Sequence, residues 1–217
     1  MSDTLTLPDL DEVRSLDRMM LVARLRMGLE RIDPRIFEME PESLDRPWDA
    51  ADGVGTMSCR ALLAHLMDAE LVYSYRIRRT LAEDGPVLDN FDEHAFMASP
   101  MYGVPKADGA NVRVPMGAMA ASIHALRQTL GALLYQIDET DWDRRAMHPE
   151  RGPVTVHELV CTHTWHVYHH AVFLNAKAEK LLGPRPKGGG CGDAAQNGGC
   201  GSGCGCVGAG SDAEQQA

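Results

Sequence analysis

The stretch TVHELVCTHTWHVYHHAVFLNAKAEKLL, residues 155–182, decides the fold that this sequence predicts. Its first residue, Thr155, and Glu158 match a capping box, in which each side chain satisfies a free amide of the first helical turn. The glycine-proline pair directly after the stretch is a helix stop. We therefore expect one long helix here, and it contains five of the chain's nine histidines.

One face of this helix is apolar but interrupted by imidazoles. Its members recur every three to four residues, and they are Val156, Leu159, Val160, His163, His166, Val167, His170, Phe173, Leu174 and Lys177. His166 and His170 are four residues apart, so their rings face the same way. His65 interrupts a second apolar helix face in the same manner, between Leu62 and Ala69.

Burying several neutral imidazoles costs free energy unless each ring finds a partner. A divalent metal ion is such a partner, because imidazole nitrogen binds zinc, nickel, iron or copper. Two rings from one helix and a third from a facing helix would form a three-histidine site with an open position, as in catalytic zinc sites. A hydrogen-bonded core histidine is the simpler explanation for any single ring. We expect His163 to pack or to support a ligand, and we expect the others to be surface or loop residues: His94, His124, His148, His157 and His169.

The remaining body of the chain is also helical in pattern. Residues 13–32 place apolar side chains on one stripe: Leu16, Met19, Met20, Ala23 and Met27. Ser58 is a candidate N-cap for a helix over residues 59–84, and residues 115–137 carry a further helical repeat. Residues 87–114 form a long connection with a short helix near 92–98, and we find no strand pattern of period two. Four long helices predict an all-α, antiparallel four-helix bundle.

Composition and charge exclude several classes of protein. The chain has 217 residues and a formal net charge of −10. Such an acidic chain is unsuited to binding nucleic acid or an anionic membrane surface, and no apolar run is long enough to span a bilayer. Without an evident export signal the expected location is cytoplasmic, with reduced thiols.

The composition changes after residue 183. We expect a four-helix bundle domain over residues 1–183 and a disordered, glycine- and cysteine-rich tail over 184–217. The tail cysteines are Cys191, Cys200, Cys204 and Cys206. They could bind or deliver a soft metal or form redox disulfides, and they could equally be incidental.

Two segments resemble the signatures of a known family. RALLAHLMDAELVYSYRIRRTLAEDGPVLDNFDEHAF (60–96) and VTVHELVCTHTWHVYHHAV (154–172) are similar to the two signatures of the DinB/YfiT-like superfamily. The resemblance spans residues 13–182 and implies an antiparallel four-helix bundle with a metal ion held by His65, His166 and His170. Two departures are Ala171-Val172-Phe173, where many members have Arg-Gly-Gln, and Met57, where members often have tryptophan.

The resemblance also implies thiol-dependent chemistry. We expect a divalent ion (zinc, nickel or iron), a small-molecule substrate, and a low-molecular-weight thiol as cosubstrate of a metal-dependent thiol S-transferase, or of a related hydrolase or isomerase. The alternatives are a non-catalytic metal-handling or stress-response protein that uses the tail, and a bundle with a vestigial site.

No residue is assigned a catalytic role. Asp68 could orient a ligand ring or be a solvated helix charge, the latter being slightly favoured. Candidate pocket walls are Tyr73, Tyr75 and Arg76. Methionine-rich faces are compatible with a homodimer.

Overall fold

A computed structural model of the chain describes residues 5–98 and 114–185. Within these ranges the α-helices are α1 (Leu10–Arg14), α2 (Arg18–Arg26), α3 (Pro41–Leu44), α4 (Cys59–Ala82), α5 (Glu93–Met97), α6 (Met116–Leu134) and α7 (Val156–Leu182). Two short strands, β1 (Arg145–His148) and β2 (Gly152–Thr155), precede α7, and single 3-10 turns lie at Leu29–Arg31, Pro34–Glu38, Ala50–Asp52 and Glu139–Asp143.

Four helices form the bundle that the sequence predicts. Helix α4 packs against α6 and α7, and α2 packs against the same two helices from the other side. Helix α1 extends the first arm along α7. The expected four-helix bundle is therefore confirmed, with three long arms and one that is short and broken.

The helix starts and stops agree with the local signals. Ser58 accepts a hydrogen bond from the Ala61 amide at the start of α4. Thr155 and Glu158 exchange the reciprocal bonds of a capping box at the start of α7, which ends at Leu182 before a glycine with a φ of +79°. The short helix expected near residues 92–98 is α5.

The first arm is where the predicted helix was wrong. It is broken between α1 and α2, and α2 restarts at its own N-cap, Asp17, whose side chain accepts from the Met20 amide. The buried residues of α2 are Leu21, Val22 and Leu25. The methionines of the predicted stripe are exposed instead: Met19, Met20 and Met27. The prediction of a single apolar stripe assumed one unbroken helix. Because α2 starts anew after the break, its buried face does not continue that of α1.

A β-hairpin replaces part of the expected polar loop. β1 and β2 pair antiparallel in a register that joins Arg145 to Thr155 and His148 to Gly152. The strand edge is extended by backbone hydrogen bonds between Met147 and the segment at Pro86 and Leu88, at 2.8 and 2.9 Å. Strands of four residues are too short to show a period of two, so the sequence pattern did not reveal them.

The buried apolar residues form two clusters separated by a polar layer. One cluster contains Leu62, Leu63 and Leu66 of α4 with Val167 and Leu174 of α7. The other contains Ile77 of α4 with α2 side chains and the first turns of α7. Between them three fully buried polar residues meet, one from each of three helices: Glu70, Arg127 and His163.

Two regions of interest lie outside the described residues. The predicted tail, with Cys191, Cys200, Cys204 and Cys206, is one, and residues 99–113 of the long connection are the other. In the part of the chain that is described, no helix has both the length and the apolarity needed to cross a membrane.

We predict that Thr155→Ala lowers the free energy of unfolding by about 1 kcal/mol, because the first turn of α7 loses a side-chain acceptor. Urea unfolding followed by circular dichroism measures the change. Thr129→Ala, at an exposed position inside α6, is the control and should stay within about 0.5 kcal/mol of the parent chain. An equal loss in both variants would contradict the role given to the cap.

Candidate metal centre

Three imidazole rings from two helices converge on one point. His65 comes from α4, and His166 and His170 come from α7. The Nε2 atom of His166 lies 3.1 Å from Nε2 of His65 and 3.1 Å from Nε2 of His170. One nitrogen from each ring lies within 4.8 Å of the others. The structure thus brings together the three histidines that the sequence singled out.

All three rings favour the neutral state. Burial lowers the pKa of His65, and it lowers the pKa of His166 well below its ordinary value, with help from the neighbouring rings. Burial and the proximity of His65 lower the pKa of His170 to about 3. Neutral imidazole offers a lone pair, which is the form that binds a metal.

Two of the three cluster histidines, His65 and His166, line a cavity of about 230 Å³. Helix α4 contributes His65, Tyr73 and Arg76 to the lining. The segment that leads into α5 contributes Asn90, Phe91 and Glu93, and the β-hairpin contributes His148, Glu150 and Arg151. His166 reaches the cavity from α7. A small molecule inside would contact the imidazole cluster and charged side chains at once.

A buried polar network lies directly behind the cluster. Arg127 Nε donates to Glu70 Oε2 at 2.7 Å, and its two other nitrogens donate to the backbone carbonyls of Leu25 and His163, at 2.7 and 3.1 Å. Glu70 Oε1 also lies 2.8 Å from His163 Nε2. Tyr73 stacks on the His163 ring with centroids 5.0 Å apart. His163 therefore supports the site from behind rather than joining the cluster.

The sequence did not predict this network, although one signal was present. Arg127 occupies a core-facing position of α6, between Ile123 and Leu130, where a charged residue is unusual unless it is paired. Nothing local indicates that its partner is Glu70, which lies on another helix. The close approach also needs Gly28, since a Cβ atom there would overlap Arg127 Nη1.

The other predicted positions divide into confirmed and wrong. Tyr73 and Arg76 line the cavity as expected, whereas Tyr75 is exposed and does not. Asp68 is buried, so the prediction that its carboxylate is solvated was wrong. It sits on the inner side of α4, where it raises the pKa of His65 in opposition to burial.

Two of the histidines expected at the surface or in loops are exposed as predicted, His94 and His124. His148 is buried in β1, because the unexpected hairpin folds it against the cavity. His157 is half-buried, 3.6 Å from the Cys161 sulfur, and His169 is half-buried against Trp165. These three predictions were wrong: the hairpin buries His148, and neighbours one turn away on α7 partly cover His157 and His169.

Comparison with known proteins supports the resemblance. The family model for the DinB superfamily matches residues 13–173. A protein of Oceanobacillus iheyensis named "Putative metal-dependent hydrolase" is 22% identical over 145 residues, which cover 67% of this chain and 76% of the relative. A Bacillus mycoides protein of the same description is 20% identical over 146 residues, with the same coverage.

A solved structure shares the fold. YfiT from Bacillus subtilis, described as "a probable metal-dependent hydrolase with an unusual four-helix bundle topology", matches with a TM-score of 0.63 and 20% identity. The match covers 77% of this chain and 90% of YfiT. The class is thus a YfiT-like four-helix bundle. Since the family model matches most of its length, the chain belongs to the DinB superfamily.

We predict that Glu70→Gln lowers the free energy of unfolding by about 3–5 kcal/mol, because it leaves Arg127 buried without a counter-charge. Burial alone would raise the pKa of Glu70, but His163 and Arg127 lower it below its ordinary value. The carboxylate therefore stabilises the fold fully above about pH 4.5, the ordinary pKa, and loses this effect as the pH falls through the folded-state pKa.

Urea unfolding of both proteins at pH 7 and at progressively lower pH measures this. The difference between parent and variant should shrink on acidification. Glu83→Gln, which removes an exposed partner of Arg79, is the matched control and should change stability little. A difference for Glu70→Gln that is constant with pH would contradict the assignment.

Proposed function

We propose that the chain binds one divalent metal ion through Nε2 of His65, His166 and His170 and catalyses a hydrolase-type reaction in the adjoining cavity. The convergence of three Nε2 atoms is the observation that carries the proposal. Two nitrogens bound to one zinc ion at tetrahedral angles are about 3.3 Å apart, close to the 3.1 Å found between adjacent rings.

The hydrogen-bonding pattern also fits a bound cation. His166 Nε2 faces two other ring nitrogens, but in a neutral ring it carries either one N–H or one lone pair, so it can complete only one of the two contacts as a well-aligned hydrogen bond. The Nδ1 atoms of His65 and His166 are buried without a hydrogen-bond partner among the described residues. A shared cation at the Nε2 side would use one lone pair from each of the three rings at once.

A divalent ion held by three histidines would supply Lewis acidity and lower the pKa of a water or thiol at its open position. The chain's own residues would bind and orient the substrate and accept the proton. Glu93 lines the cavity and acts electrostatically on His65, so its carboxylate is on the correct side to take a proton from the nucleophile. Three imidazoles accommodate zinc, nickel or iron, and the donor set alone does not select among them.

The nucleophile separates the two enzyme classes that fit this site. Water leads to hydrolysis, in keeping with the names of the relatives. A low-molecular-weight thiol as cosubstrate would make the protein a thiol S-transferase or isomerase, and this remains a prediction. A non-catalytic metal-handling role rests on the four tail cysteines, whose thiolates would attract soft metals.

We predict one metal ion per chain, lost when a cluster histidine is removed. The test uses the full chain with Cys191, Cys200, Cys204 and Cys206 changed to serine, so that tail thiols do not contribute. Zinc affinity, measured by competition with a chromophoric chelator, should fall in His166→Ala by more than the roughly 10- to 100-fold typical of losing a residue behind the ligands. His124→Ala removes an exposed histidine and should bind as the parent does.

Unchanged zinc affinity in His65→Ala, His166→Ala and His170→Ala would contradict the proposed metal centre. Comparing zinc uptake rates of the parent with and without the four tail substitutions tests the metal-handling alternative. Equal rates and equal final occupancy would remove the support for delivery by the tail.

We predict that Glu93→Gln retains metal but reduces turnover by about 10²- to 10⁴-fold, because the variant cannot accept a proton. Hydrolysis of p-nitrophenyl acetate reports on water as the nucleophile, and conjugation of cysteine with monochlorobimane reports on a thiol. Turnover that persists in Glu93→Gln would contradict the assignment of Glu93. Absence of both reactions at full zinc occupancy would count against a catalytic role with these classes of electrophile.

A further inference from the structure

The cavity extends well beyond His65 and His166, the two cluster histidines that line it. Arg76 follows His65 by eleven residues on α4, so the two lie nearly on one face with Cα atoms about 16 Å apart along the helix. Both line the same cavity. Long side chains on a helix lean toward its N-terminus, which directs the guanidinium back toward His65. The cavity therefore has an imidazole end and a guanidinium end.

Arg76 is a buried cation that makes no direct ion pair with a carboxylate of the described residues. Its residue is only 6% exposed. Nη2 donates to the backbone carbonyl of Asp89 at 2.6 Å, and the Tyr73 ring lies 5.8 Å away. Among residues 5–98 and 114–185, no carboxylate oxygen forms a salt bridge with it, while Asp89 directs its exposed carboxylate toward Arg79. A buried guanidinium in this state is costly unless an anion reaches it.

His148 supplies a second unpaired donor at the same end. It is 5% exposed. Its Nδ1 accepts hydrogen bonds from the backbone amides of Glu150 and Arg151, at 3.2 and 3.4 Å. Nδ1 therefore carries no proton, and the neutral ring holds its proton on Nε2. This Nε2–H has no hydrogen-bond partner within the described ranges, although the ring lines the cavity.

The charges that surround this end are of both signs. Arg76 and Arg151 contribute two positive charges and Glu150 contributes one carboxylate, while the exposed carboxylate of Asp89 also attracts Arg76 electrostatically from outside the lining. Glu93 is the other acidic side chain of the lining, and it acts on His65 at the imidazole end. An oxyanion is the ligand class that a guanidinium and a neutral N–H donor both recognise.

We propose that Arg76 and His148 form an anion subsite that binds a carboxylate or phosphate group of the substrate, with Arg151 at its mouth. The substrate is then an elongated anion whose charged end lies on Arg76 and whose other end approaches the histidines. The position of that reacting end rests on the proposed function of the metal centre. The anion subsite itself does not depend on it.

The test measures binding of small probes to the zinc-loaded full chain by ligand-observed NMR. Succinate is the carboxylate probe, inorganic phosphate is the phosphate probe, and succinamide is the uncharged counterpart of succinate. At least one anion should bind more tightly than succinamide. Which of the two binds more tightly identifies the oxyanion, and either result supports the subsite.

The variants localise the bound anion. Arg76→Gln should weaken its binding about 10-fold or more, because a charged hydrogen bond is lost. Arg78→Gln makes the same change at an exposed position two residues away on α4 and should leave affinity unchanged. His148→Asn keeps an acceptor for the two amides but removes the Nε2–H, and it should weaken binding roughly 3- to 10-fold.

His148→Asn keeps the test decisive if Arg76→Gln does not fold, which circular dichroism checks. Equal anion affinity in the parent and in the folded variants, or no anion binding above that of succinamide, overturns the subsite. Zinc content is measured on every sample. If anion binding depends on Arg76 but the chain has no affinity for zinc, the subsite stands and the metal centre is rejected. If the chain binds zinc but no anion, the metal centre stands and the subsite is rejected.

Discussion

The pairing of Arg127 with Glu70 is the interaction on which the rest of the structure depends. Arg127 from α6 bonds Glu70 of α4 and the backbone carbonyls of Leu25 in α2 and His163 in α7. One fully buried side chain thus joins its own arm of the bundle to the other three. It occurs between the two apolar clusters, where polar groups must be satisfied by protein because water is excluded. Its geometry fixes how far each arm can slide past the others, whereas apolar contacts alone tolerate small shifts.

This polar layer also determines where the imidazoles lie. His163 is bonded to Glu70 and stacked on Tyr73, and His166 follows it by less than one turn of α7. The same α4 that carries Glu70 carries His65 and Arg76 on its cavity side. The rigid elements that hold the fold together therefore also hold the candidate ligands, which is how a site reaches the precision that metal binding requires.

Helix boundaries and the histidine trio could be predicted from the sequence, since both depend on local spacing. The capping box at Thr155, the cap at Ser58 and the i, i+4 pair at His166 and His170 each involve residues within one turn. The predicted apolar stripe of the first arm was wrong because the break before Asp17 shifted the buried face of α2. The prediction of a surface or loop position for His148 was wrong because a four-residue strand leaves too little pattern to detect.

By itself, the sequence determined the helical class, the N-caps of α4 and α7, and the three imidazoles that interrupt apolar faces. These features repeat at the period of a single helix, so the chain displays them before it folds. Only the tertiary structure decided that Arg127 meets Glu70, that Asp68 is buried, and that Arg76 and His148 share a cavity with His65. Such contacts join segments that are distant in the chain, and their free energy comes from desolvation and pairing, which no local periodicity records.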